Sequence, residues 1–284
     1  MQTVPYRPLT AAPFRQDEEY KEIAPKSQEL AKYICCFWGS GRPYLKKKTA
    51  GIVVPDTCVD IIYWVDHTEN RISGGFCGIN DVSFSETDNS RTGHLVSVFA
   101  IRFYAWGACA FSEDSMRGTL NDYIDVRSRF QWLDRLLRPQ LFEDRSLEEW
   151  AEIVETLFLQ QLSRARHPAV IYDAVAQILL HKGAIGVSEL AKACFISGRQ
   201  MERLFHEYIG ITPKKLCNLI RYQFVWGDVL RNPAFSVMDA VWQYGYTDQS
   251  HLMREFKRYH TMDIQTARNY AHHVGNIQYP QDTL

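Results

Sequence analysis

Long hydrophobic runs are missing from this 284-residue sequence. One of the longest, "IIYWV" at 61–65, is far below the roughly 20 apolar residues a membrane-spanning helix needs. The chain opens without a basic start followed by an apolar segment, so no secretory signal is expected. Charge imbalance is also missing, with a net −1 at pH 7. That argues against a protein that holds nucleic acid by bulk positive charge alone. The seven cysteines, Cys35, Cys36, Cys58, Cys77, Cys109, Cys194 and Cys217, never stand two apart as C-x-x-C. Neither a zinc framework nor a disulfide scaffold is implied, and a reduced cytoplasm is the simplest setting. Cys35 and Cys36 are adjacent, so they read as inert thiols rather than a chelating pair. Only His67 and His94 precede residue 167, too few for a histidine metal site without help from carboxylates. There is no GxSxG elbow, phosphate-binding glycine loop or paired-histidine motif. The sequence therefore implies no enzyme activity, no metal, no cofactor and no membrane partner.

What is present is a globular composition, 46% hydrophobic and 13% aromatic, on a chain long enough for two cores. The first fifty residues are interrupted by Pro5, Pro8, Pro13, Pro25 and Pro43. Strand-like runs follow at 51–67, 71–79 and 94–106, rich in β-branched and aromatic residues. The last alternates, with Val96, Val98, Arg102, Tyr104 and Trp106 on one side and Leu95, Phe99, Ile101 and Phe103 on the other. Short strands punctuated by Gly, Pro, Asn and Asp predict an antiparallel barrel or sandwich. The lysines at 46–48 read as a solvated loop. After about residue 112 the pattern turns helical. The segment 146–162 opens with Ser146 and Glu149 as a capping box, and its Leu147, Trp150, Val154, Leu157 and Phe158 serve either as core or as a dimer surface. "RARHPAV" at 164–170 marks the boundary, which gives domains at 1–166 and 167–284. The fold class expected is α+β: a β-rich barrel or sandwich with flanking helices, then an all-α domain. The second domain holds 12 Lys+Arg against 10 Asp+Glu, a mild basic excess.

That second domain contains an internal repeat. "VSELAKACFISGRQMERLF" (187–205) and "VMDAVWQYGYTDQSHLMREF" (237–256) each read as a helix, a sharp turn and a second helix. Met201, Arg203 and Phe205 recur 51 residues on as Leu252, Arg254 and Phe256, whereas Val187 recurs 50 on as Val237. The second turn is therefore one residue longer, and a linking helix at 213–230 joins the copies. This spells two helix-turn-helix units in tandem. Ser197 is the expected N-cap of the first unit's second helix, with Gln200 completing a capping box. The exposed faces carry Arg199, Gln200, Arg203 and His206, then Gln249, Ser250, His251 and Arg254. These side chains hydrogen-bond directionally. Arg pairs with the guanine edge, Gln with adenine, and Ser adapts to either.

Two stretches carry a family resemblance. Phe205, Gly210, Thr212, Pro213 and Arg221 match an F-x-x-x-x-G-x-T-P segment with its linker helix. Gly245, Asp248, Ser250, Arg254, Phe256 and Lys257 match a G-F-x-D-x-S-x-F-x-R-x-F-K signature. Residues 170–270 thus resemble the DNA-binding domain of the AraC/XylS family of bacterial transcription regulators. The resemblance implies two recognition helices, about 197–208 and 248–259, entering successive major grooves. Carried over by position, it implies Arg199, Glu202, Arg203, Gln249, Ser250, His251, Met253 and Arg254 as base-reading candidates. Glu202 reads equally as a solvated helix residue and is set aside with Met253, and Gln200 joins from its place at the exposed N-terminal end. The base readers expected are therefore Arg199, Gln200, Arg203, Gln249, Ser250, His251 and Arg254, with Lys214 and Lys257 expected on phosphates. A promoter or operator duplex, RNA polymerase, a small-molecule effector and a second copy of the chain are the partners expected. Two stretches depart from the pattern. Where the second unit should repeat G-x-T-P, the chain has Thr261, Asp263 and Ile264, which removes a glycine C-cap. In "VPDTCVD" (54–60), similar to a P-D-G-x-x-D strand motif of the family's sensory half, Thr57 replaces glycine.

Two other functions fit parts of the sequence. An enzyme–regulator fusion of the alkylation-response kind needs a zinc-held cysteine nucleophile, which the spacing does not supply. A non-specific architectural DNA protein needs more positive charge than this. In the first domain Asp60, Trp64, Arg102, Tyr104 and Trp106 are the effector candidates. Aromatic rings with one charge either hold a ligand or form core around a satisfied ion pair, and the pattern alone leaves both open.

Overall fold

The computed structural model describes residues 6–9, 20–47, 51–86, 91–166 and 168–274. Among the described residues nine strands come first: β1 (Lys21–Ile23), β2 (Ile34–Gly39), β3 (Tyr44–Leu45), β4 (Gly51–Val53), β5 (Cys58–Asp66), β6 (Arg71–Cys77), β7 (Phe84–Glu86), β8 (Leu95–Tyr104) and β9 (Tyr123–Asp125). β8, the longest, sits near the centre of a seven-stranded antiparallel sheet in the order β1-β2-β8-β5-β6-β9, and β3 also pairs with β8. Of the expected second layer, the described residues form a two-stranded ribbon, β4 with β7.

Because side chains alternate across a strand, register decides which residues meet. Val59, Ile61 and Tyr63 of β5 lie opposite Phe103, Ile101 and Phe99 of β8, and all six are buried. Against this apolar face pack α1 (Arg127–Leu137) and α2 (Leu147–Gln161). Trp150 lies 5.9 Å from Phe99 and Phe158 5.6 Å from Phe103, ring centre to ring centre. The Ser146–Glu149 capping box is formed in full. Leu147, Trp150, Val154 and Phe158 are thus core residues, which decides between the two roles expected for that stripe.

The helical domain comprises α3 (Ala169–Leu180), α4 (Val187–Ala193), α5 (Gly198–Tyr208), α6 (Pro213–Arg231), α7 (Val237–Gln243), α8 (Gln249–His260) and α9 (Ile264–Val274). The pairs α4–α5 and α7–α8 are the two helix-turn-helix units, joined by α6. Their turns span 194–197 and 244–248, so the second is one residue longer, as the 50- and 51-residue offsets predict. Ser197 accepts from the Gln200 amide at 3.2 Å. The reciprocal half of the expected capping box does not form, and the Gln200 side chain stays exposed. Lys192 on α4 and Trp242 on α7 both face solvent.

Both motif departures resolve in backbone terms. Thr261 takes φ 62 where Gly210 takes φ 87, so a threonine occupies the left-handed C-cap position that favours glycine. Asp263 accepts from the Thr266 amide at 2.9 Å, as Thr212 accepts from the Lys215 amide at 3.1 Å. Ile264 opens α9 where Pro213 opens α6. The T-M-D-I stretch therefore builds the same cap as G-I-T-P from other side chains. Thr57 behaves alike: it is fully buried at φ 62, held by the Tyr6 hydroxyl at 2.7 Å.

One loop residue contradicts its expected exposure. Lys46 is buried, with its ammonium 4.3 Å from the Trp64 ring centre; a lysine stem packs well on apolar surface when an aromatic face receives its charge. Lys48, from the same run, lies outside the described residues.

A β-branched residue in the left-handed region costs about 1–2 kcal/mol, part of which glycine returns through its freer unfolded chain. Thr261→Gly should therefore raise stability by about 1 kcal/mol in urea unfolding. A drop instead would show that the bond from Thr261 Oγ1 to the His260 carbonyl, 2.6 Å long, outweighs the strain.

Candidate nucleic-acid interface

Each unit buries its second helix by a short apolar stripe. In α5 that is Met201 and Phe205, in α8 Leu252, Phe256 and Tyr259. Helical periodicity then leaves the polar residues outside. Arg199, Gln200 and Arg203 are exposed on α5, and Gln249, Ser250 and Arg254 on α8. Each set occupies the first turns of its helix, and each helix has a capped N-terminus, Ser197 in one and Asp248 in the other. His251 differs: it is half-buried, edge-on to Tyr246 at 5.2 Å, with the Thr247 amide directed at its Nδ1. Arg203 is paired with Glu207 one turn on at 3.2 Å. Lys214, in the first turn of α6, and Lys257 are exposed.

What holds α8 relative to α5 is a buried ion pair. The Arg221 guanidinium on α6 donates to both carboxylate oxygens of Glu255 on α8, at 2.8 and 2.9 Å, and both side chains are about 6% exposed. Tyr246 adds its hydroxyl to Glu255 at 2.9 Å and its ring under Arg221 at 4.1 Å. Around this cluster, Tyr222 and Trp226 pack against Phe256, Tyr259 and His260. His260 is buried, and burial pushes its pKa down to about 4. Sequence reasoning missed Glu255. The signal was there: an acid three residues after Leu252 and four before Tyr259 lies on the buried stripe.

The C-terminal ends of α5 and α8 are both closed by the β domain. The Glu207 carbonyl accepts from the Met116 amide at 2.8 Å. The Tyr259 carbonyl accepts from the Ser83 amide and hydroxyl, both at 2.8 Å. Lys215 forms an ion pair with Asp81. The Gln223 side chain donates to the Leu9 carbonyl at 3.2 Å and accepts from the Leu9 amide at 2.7 Å.

The β-domain candidates separate into three places. Asp60 and Arg102 stand opposite each other on β5 and β8 and pair at 2.9 Å. Arg102 also reaches Glu22 at 3.1 Å and lies over the Trp38 ring. Asp56, 3.9 Å from Arg102, is held up at about 6 by burial, which outweighs the guanidinium. Trp64 is covered by Lys46 and Arg91. Trp106 falls beyond the end of β8 and stacks on Tyr104 at 5.2 Å. Tyr104, with Glu22, Cys35 and Cys36, lines a cavity of about 280 Å³. Burial pushes the thiols of Cys58, Cys77 and Cys109 up to about 12.

Glu255→Ala leaves a buried guanidinium unpaired and should cost about 3–5 kcal/mol in chemical unfolding; a loss under 1 kcal/mol would mean that water or Tyr246 satisfies Arg221 unaided. For His260 the unfolded chain takes up a proton near pH 6.5 while the folded chain resists it. Its contribution is complete above that pH and is lost as pH falls from about 6.5 towards 4, by at most about 1.4 kcal/mol per unit. The wild type should show this acid-side slope and His260→Gln should lack it.

Residues 190–270 match a family described as a helix-turn-helix domain, and residues 21–125 match one described as a domain of unknown function (DUF6597). No curated protein matches the chain. Among solved structures, ToxT from Vibrio cholerae is 12% identical, with 91% of this chain and 99% of that one covered at a TM-score of 0.40. ToxT from Vibrio cholerae strain SCE256, bound to an unsaturated fatty acid, is 11% identical over 89% and 95% at 0.36. A Chromobacterium violaceum transcriptional regulator, of the AraC-type DNA-binding-domain proteins, is 18% identical over 38% and 96% at 0.35. No residue role is carried across likenesses this distant. The first of the two family matches spans both units, from within α4 to within α9, so residues 190–270 form a helix-turn-helix domain.

Proposed function

We propose that α5 and α8 are the two recognition helices, entering successive major grooves on one face of a promoter or operator duplex. Arg199, Gln200 and Arg203 read one segment, and Gln249, Ser250, His251 and Arg254 the other. Lys214 and Lys257 bind phosphates. One observation carries this reading: two repeat-related helices expose hydrogen-bonding side chains at their N-terminal turns and are tied through α6 by the buried Arg221–Glu255 pair. Recognition helices of this kind present their N-terminal residues to base edges, and a tied pair reads two segments in a set register.

The chain is divided after Arg166. Its guanidinium donates to the carbonyls of Cys109, Ser112 and Asp114, which anchors it to the β domain, and His167 lies outside the described residues. The β domain is the regulatory half. A small-molecule effector is placed beside Tyr104, Asp60 and Arg102, because the cavity lined by Tyr104 also reaches Glu22, a partner of Arg102. Trp64, under Lys46 and Arg91, and Trp106, stacked behind Tyr104, do not line that cavity and are left out of the effector site.

The test is selection from a pool of genomic duplex fragments on the full chain. An asymmetric site with two contact segments about one helical turn apart is expected. Arg203→Ala and Arg254→Ala should each cost about 1–3 kcal/mol and relax preference at one segment only. Lys214→Ala and Lys257→Ala should weaken all duplexes and each reduce the salt slope by about one. An arginine variant that weakens every duplex equally would remove that residue from the base readers, and a flat preference across the pool would refute the two-helix reading.

A further inference from the structure

The loop at 112–120 belongs to the β domain, since it leads from the turn after β8 into β9. It nevertheless lies against α5. Met116 is about 1% exposed and donates its amide to the Glu207 carbonyl at 2.8 Å, to which the Ser115 hydroxyl adds a bond at 3.3 Å. The approach is close enough to require Gly210: a Cβ there would lie 2.5 Å from the Met116 carbonyl oxygen and 2.9 Å from Thr119 Oγ1. The loop is therefore seated by backbone contacts rather than by flexible side chains alone.

Its position delivers Arg117 to the outer side of α5. The guanidinium donates to the Arg203 carbonyl at 3.4 Å and is otherwise exposed. With Ser197, Arg199, Gln200 and Arg203 it walls an open cavity of about 460 Å³. Three arginines thus line one recess. Among the described residues Glu207, paired with Arg203, is the carboxylate within salt-bridge distance of any of them. Like charges gathered around a recess repel one another in water and are relieved by an anion between them. Guanidinium groups suit phosphate oxygens in particular, because they donate in a planar fork.

We propose that Arg117 is a phosphodiester contact that the β domain supplies to the DNA interface of α5. The inference rests on α5 being a recognition helix, and it adds a backbone contact from outside the helix-turn-helix domain. The regulatory half then touches DNA directly, and any movement of the 112–120 loop changes the charge presented beside the first recognition helix.

The experiment uses the full chain and a selected duplex, with affinity measured across salt concentrations. Arg117→Ala should reduce the slope of log K against log salt by about one, weaken all duplexes alike, and leave base preference and thermal midpoint unchanged. Arg117→Lys should retain the slope. An unchanged slope in Arg117→Ala, or tighter binding, overturns the proposal and leaves Arg117 as a brace or an obstruction for α5. Inorganic phosphate supplies a second arm. If phosphate raises the thermal midpoint of the wild type but not of Arg117→Ala while the salt slopes agree, the recess holds a free anion and the DNA contact is refuted. Arg203→Ala and the fragment selection separate the levels: loss of base preference in Arg203→Ala supports the α5 reading whatever Arg117 does, and a flat preference of the wild type across the pool fails both.

Discussion

The Arg221–Glu255 pair is the constraint on which the arrangement of the helical domain depends. Two helix-turn-helix units can each fold around a few apolar residues, yet nothing in either unit sets its orientation relative to the other. Apolar contacts between α6 and α8 are forgiving, because rings slide over one another at little cost. A bidentate guanidinium–carboxylate pair is not, since its hydrogen bonds weaken steeply off axis. Both groups are about 6% exposed, so separating them leaves two charges without water. Such a pair adds little net stability over a well-packed apolar substitute. Its contribution is registry: one angle between α6 and α8 is acceptable, and the spacing of the two exposed faces follows.

The β domain and the helical domain are joined at the ends of α5 and α8. The last carbonyls of a helix have no partner within it. In α5 the Glu207 carbonyl is satisfied by Met116, and in α8 the Tyr259 carbonyl by Ser83. Both donors stand on β-domain loops. Displacing either loop uncaps a helix, which is a specific energetic link between the two halves. Lys215 with Asp81 supplies a charged contact on the same side. Burial would push the Asp81 carboxyl up, but hydrogen bonds from Lys215 and Asn121 hold it below the ordinary range.

Two threonines in left-handed backbone show how far a motif can be followed. Thr57 and Thr261 stand where glycine was expected, and each departure looked like a broken element. In each the backbone takes the left-handed conformation that favours glycine, and the hydroxyl donates to the carbonyl of the preceding residue alongside the strain. A pattern of letters records which residue makes a conformation easy. It does not record which conformations the surrounding packing is able to impose. The same limit explains Lys46, whose three-lysine run reads as solvent-exposed until Trp64 is brought against it from another strand.

Periodicity by itself determined the strands around 51–106, the apolar stripe of α2 and the tandem units with their unequal turns, because these depend on neighbours within one or two turns of chain. It also determined which polar residues of α5 and α8 face outward, since a helix fixes direction once its buried side is known. Tertiary structure alone decided that Glu255 meets Arg221, that Asp60 pairs with Arg102 while Trp64 and Trp106 go elsewhere, and that Arg117 arrives beside α5. Each of these joins residues far apart in sequence, and their meeting depends on strand register, helix crossing and loop closure. Those are properties of the packed molecule, set by summed contacts that no local spacing encodes.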